Sequence, residues 1–111
     1  MKLSKAQERV MQDAKQKIDN ARACETFEEY FTKHIAPYNN GAWKTIESYQ
    51  TKDPEALAHH IQFWNNEKDG TVLCEADSRT IRKLEELGLI KIIYDSTGDA
   101  LGSDTIKLLN Y

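Results

Sequence analysis

The stretch "ADSRTIRKLEELGLIKIIYDSTGD", residues 76–99, decides the fold. Asp77 or Ser78 can cap a helix, because a short oxygen-bearing side chain accepts from the free N–H groups of a first turn. Ile81, Leu84 and Leu87 recur at helical spacing and predict a buried stripe. Gly88 is the expected stop, since glycine tolerates the left-handed conformation that commonly ends a helix. "LIKIIY", residues 89–94, is rich in β-branched residues and reads as a strand. "TIKLLNY", residues 105–111, reads as the returning strand, with Ile106 and Leu108 facing inward. The ten residues between them, 95–104, exceed a tight hairpin turn and predict a projecting loop. Upstream, "TVLCEA" at residues 71–76 reads as a further short strand.

Working outward, the preceding segments are helical. Ser4 and Gln7 have the spacing of a capping box, and Leu3, Val10, Met11, Ala14, Ile18 and Ala21 give the helix at 4–23 a narrow apolar stripe. A stripe of that width packs against one surface or against a partner helix, so a homodimer through this helix is an expectation. Thr26 and Glu29 predict a second start, with an aromatic face of Phe27, Tyr30, Phe31 and Ile35. Pro37 ends it, because the residue before proline is pushed out of the helical region. Residues 42–51 suit either a helix, through Trp43 and Ile46, or a strand, through the alternation of Trp43, Thr45, Glu47 and Tyr49; helix is the preferred reading. Asp53-Pro54 opens another helix with Leu57, Ile61 and Trp64 on one face, and Asp69-Gly70 closes it.

The chain has 111 residues, the size of one domain, and residues 1–111 are read as one. Neither a long apolar run nor a signal-like opening is present in the sequence, and a cytoplasmic location is the expectation. Cys24 and Cys74 either pair or remain buried thiols; thiols are preferred, because nothing resembles a secreted disulfide framework. The net charge of −3 is uneven. Residues 1–22 hold six basic and three acidic residues, 23–77 hold four basic and ten acidic, and 78–111 hold five of each. A protein bound mainly through phosphates needs a basic face, and only the N-terminal segment leans that way.

The run from Thr80 through Arg82, Lys83, Leu84, Leu87, Gly88 and Leu89 to Ile90, set between a strand and a hairpin, resembles the second half of a winged-helix domain. "LSKAQERVMQDAK", residues 3–15, is similar to the first helix of such domains. The likeness covers residues 71–111 well, 3–18 in part, and 24–70 poorly. It implies an α+β winged-helix-like fold in which the helix at 78–87 is the recognition helix and the hairpin is the wing. The whole is also similar to small uncharacterised proteins of Gram-positive bacteria and their mobile elements, a similarity that implies no activity.

Two functions follow as expectations. A small sequence-dependent DNA-binding regulator would contact double-stranded DNA through Arg79, Thr80, Arg82 and Lys83, which fall off the apolar stripe, with Ser78 adding a hydroxyl. The same cations can instead be ordinary surface residues, Arg82 pairing with Glu86 one turn on. Asp95, Asp99 and Asp104 in or beside the loop would be repelled by phosphates, so the alternative is a protein-interaction module whose acidic wing, with Leu101, contacts a basic partner. Lys2, Lys5, Arg9, Lys15, Lys17 and Arg22 are spread around the first helix and read as a solvated surface. His34, His59, His60, Cys24 and Cys74 lack metal-ligand spacing, and His60 is expected to pack with Trp64. No nucleophile elbow, phosphate loop or metalloprotease motif occurs; no enzyme activity and no cofactor is expected.

Overall fold

A computed structural model describes residues 2–39, 44–94 and 104–111. The element order is α1 (Lys5–Ala23), α2 (Phe27–His34), a 3₁₀ turn (Ala36–Tyr38), α3 (Ile46–Lys52), α4 (Pro54–Lys68), β1 (Thr71–Cys74), α5 (Ser78–Glu86), β2 (Ile90–Tyr94) and β3 (Asp104–Leu108). The described residues are thus α+β, mostly helical, with one three-stranded antiparallel sheet in the order β1-β3-β2. No helix among the described residues is long and apolar enough to cross a membrane.

The helix starts are built as the sequence indicates. Ser4 and Gln7 form a complete capping box. Thr26 accepts from the Glu29 N–H, but the Glu29 carboxylate reaches one residue further back, to the Glu25 N–H. Asp53 accepts from Ala56, with Pro54 in the first turn, and Asp77 rather than Ser78 is the cap of α5. Residues 46–52 are helical, capped by Thr45. Trp43 lies outside the described residues.

The end of α5 explains the turn into β2. Gly88 has φ +77°, and the Gly88 and Leu89 N–H groups bond back to the carbonyls of Glu85 and Leu84. This double closure satisfies the last turn and needs a left-handed residue at Gly88. β2 leaves that turn already pinned to β3: Ile90 lies opposite Leu108 and Ile92 opposite Ile106. A bulge then shifts the register, so that Tyr94 faces Thr105.

Two hydrophobic clusters share α1. The first joins Val10, Ala14 and Ile18 to Val72, Ile81, Leu84, Ile90, Ile106 and Leu108. The second joins Ala21 and Cys24 to Tyr30, Phe31, Ile35, Tyr49, Leu57 and Trp64. The apolar stripe of α1 is therefore buried against surfaces of its own chain. Leu57 and Trp64 are buried as expected, but Ile61 is 37% exposed and lies off that face.

Long side chains tie the elements together. The Arg22 guanidinium donates to the carbonyls of Lys68 and Tyr111, and the Tyr111 hydroxyl donates to Asp19. Lys17 Nζ donates to the Leu73 carbonyl of β1 at 2.8 Å, and the Ile92 N–H of β2 donates to Glu85 Oε2 at 2.7 Å. Lys17 and Arg22 are exposed, as the sequence reading expects, and also tie α1 to β1, to the end of α4 and to the C-terminal residue.

Candidate functional site

The exposed side of α5 carries the residues expected to meet DNA. Ile81 and Leu84 are fully buried, which fixes the helix's rotation. Arg79, Arg82 and Lys83 then emerge on the solvent side, where residues three and four apart are neighbours. Thr80 is half-buried and turned away from them, into the groove against α1 that also contains Arg9 and Asp13. Three of the four expected contact residues thus share a face and the fourth does not. Lys83 pairs with Glu86 at 3.5 Å. Glu85 is turned to β2 and leaves the cationic face clear of one carboxylate.

The acidic wing needs a correction. Asp104 opens β3 opposite Cys74 and is only 3% exposed, so it is not on a contact surface. Asp95, Asp99 and Leu101 lie outside the described residues. On β2, just before that segment, Ile93 and Tyr94 are each 52% exposed.

No protein-family model, curated protein or solved structure matches this chain.

A second constellation escaped the sequence reading. Beside β1 lies a cavity of about 350 Å³ that collects Lys17, Tyr30, His34, His60 and Glu67 from α1, α2 and α4. Both Glu67 oxygens lie 3.1 Å from the Tyr30 hydroxyl, which donates to them. Burial, helped by the Glu67 charge, holds the Tyr30 phenol well above its ordinary range, so it remains a donor. Burial also raises the Glu67 carboxyl, against the opposing effects of the Tyr30 hydrogen bond and the Lys17 charge. Burial lowers His60, and the neighbouring His59 adds to this; its ring meets Tyr49 edge-on at 5.5 Å. The 60/63/67 face of α4 puts imidazole, phenyl and carboxylate on successive turns, but that spacing does not announce the residues of α1 and α2 that they meet.

Both cysteines are free, and burial is the main cause that raises each thiol, which makes them poor nucleophiles near neutral pH. Cys74 is only half-buried, unlike Cys24. Among the described residues no group of three or more His, Cys, Asp or Glu is arranged to hold a metal.

The cavity residues give opposite pH slopes. Folding depresses His60 below its ordinary 6.5, so the native state binds fewer protons there and stability falls as pH drops through 6.5. Folding raises Glu67 above its ordinary 4.5, so the native state binds more protons there and stability falls as pH rises from 4.5. In urea titrations across this range, Glu67→Gln should gain stability over the parent as pH rises from 4.5. His60→Asn should lose the acid-side decline. Parallel curves for parent and both variants would remove these two groups from the pH dependence.

Proposed function

We propose that the chain is a small cytoplasmic regulator with a winged-helix-like frame, a binding protein rather than a catalyst, that contacts double-stranded DNA through α5. The observation that carries this reading is the two-sidedness of α5. Fully buried Ile81 and Leu84 hold one side, and exposed Arg79, Arg82 and Lys83 occupy the other. A helix anchored this rigidly presents its cations in a fixed array, which is what reading a groove requires. The strand order β1-β3-β2, with α5 joining β1 to β2, supports the frame.

Titration of the protein with mixed-sequence duplex DNA at low and physiological salt tests the proposal. Affinity should fall steeply with salt, because bound cations release counterions from the phosphates. Arg79→Ala with Arg82→Ala should leave the fold intact and weaken binding by roughly tenfold to a hundredfold, with a shallower salt slope. No binding at low salt, or equal binding by the double variant, would remove α5 as the contact.

A second reading is favoured by Ile93 and Tyr94. Their exposure beside the 95–103 segment suits a protein-interaction module whose wing meets a basic partner. The duplex titration separates the two, since that module has no reason to bind phosphates.

A further inference from the structure

The cavity beside β1 is lined by no residue of α5 and stands apart from the face proposed for DNA. α1 through Lys17, α2 with the 3₁₀ turn, α4, and residues of β1 and β3 enclose it. Its volume of about 350 Å³ is in the range that holds a small organic molecule.

Two opposite charges enter this space without neutralising each other. Lys17 bonds only the Leu73 carbonyl, and Glu67 only the Tyr30 hydroxyl; neither has an ion-pair partner among the described residues. They are close enough for the Lys17 charge to act on Glu67. Apolar surface surrounds them: Ile35 on the inner wall, Leu73 on the sheet, and Phe63 and Tyr38 at the mouth. Phe63 is 40% and Tyr38 77% exposed, so the rings are open to an incoming molecule.

These walls select a chemical class. A simple carboxylate would satisfy Lys17 but be repelled by Glu67. A simple amine would satisfy Glu67 but be repelled by Lys17. An uncharged apolar molecule would strip water from both charges without replacing it, which is costly. A zwitterion answers both, and an apolar side group would cover the rings.

We propose that this cavity binds a free α-amino acid with an aromatic or branched apolar side chain, its ammonium on Glu67, its carboxylate on Lys17, and its side chain against Phe63 and Tyr38. The neutral His60 adds a hydrogen-bonding group to the wall without adding charge. The inference does not depend on DNA binding.

Calorimetric titration of the whole protein with phenylalanine, leucine and glycine, and with N-acetylphenylalanine and phenylalanine amide, tests it. Phenylalanine or leucine should bind, and glycine should bind at least about tenfold more weakly for want of the side chain. Each blocked derivative should lose at least about tenfold, since one removes the ammonium and the other the carboxylate. Glu67→Gln and Phe63→Ala, each verified as folded by circular dichroism, should weaken the best ligand by a similar factor. The proposal is overturned if none of the three amino acids binds at millimolar concentration. It is equally overturned if the blocked derivatives bind as tightly as the parent, a result obtained on unmodified protein and independent of any variant's folding.

Discussion

Leu84→Ala is expected to cost about 2–5 kcal/mol of folding stability. Leu84 is fully buried in the first cluster, among Ile81, Ile90 and Ile106, which are themselves at most 1% exposed. Truncation removes the transfer free energy of the side chain and leaves a space that its neighbours fill only in part. Urea unfolding followed by circular dichroism measures the loss. A change below about 1 kcal/mol would mean that the helix is not anchored by this stripe, and the fixed array of cations would lose its physical basis.

Trp64→Ala should cost a comparable amount, about 3–5 kcal/mol, in the other cluster. Trp64 is 8% exposed, and its indole N–H donates to the Ala21 carbonyl at 3.1 Å. Its ring packs against Phe27 and Tyr30 and lies under the Lys68 ammonium at 3.6 Å. Removal would leave apolar surface empty and withdraw a buried hydrogen bond from α1. Trp64→Phe keeps most of the packing and should cost less, and the difference between the variants isolates the packing contribution. Because α1 supplies Val10, Ala14 and Ile18 to one cluster and Ala21 to the other, both Leu84→Ala and Trp64→Ala should melt in one transition. Two separated transitions in the Trp64→Ala variant would show that the clusters unfold independently.

Periodicity and turn chemistry made most of the fold legible. Ser4, Thr26, Asp53 and Gly88 act where simple capping rules put them, because those rules describe local backbone needs that tertiary packing rarely overrides. Ile61 was misplaced because helical spacing defines a stripe but not its width, and α4 buries only Leu57 and Trp64. Asp104 was misplaced because a carboxylate near a predicted loop reads as exposed, whereas the antiparallel register carries it into the sheet beside Cys74. The cavity was invisible for a different reason. Lys17, Tyr30, His60 and Glu67 come from three helices, and no local pattern announces which surface residues those helices will bring together.

The two hydrogen bonds that reach the strands from long side chains have one more consequence. β1 and β2 are the outer strands of the sheet, each bonded to β3 on one side only. The Gly70 carbonyl accepts from Leu108, so the alternation of the ladder turns the Leu73 carbonyl and the Ile92 N–H outward. Lys17 occupies the first of these groups and Glu85 the second. A strand from another molecule seeking to extend the sheet would meet a spent acceptor on one side, and a spent donor beside a bulge on the other. Among the described residues the sheet has three strands, and on each outer strand one outward backbone group is already taken by a flanking helix, which makes that edge a poorer template for a strand of another copy.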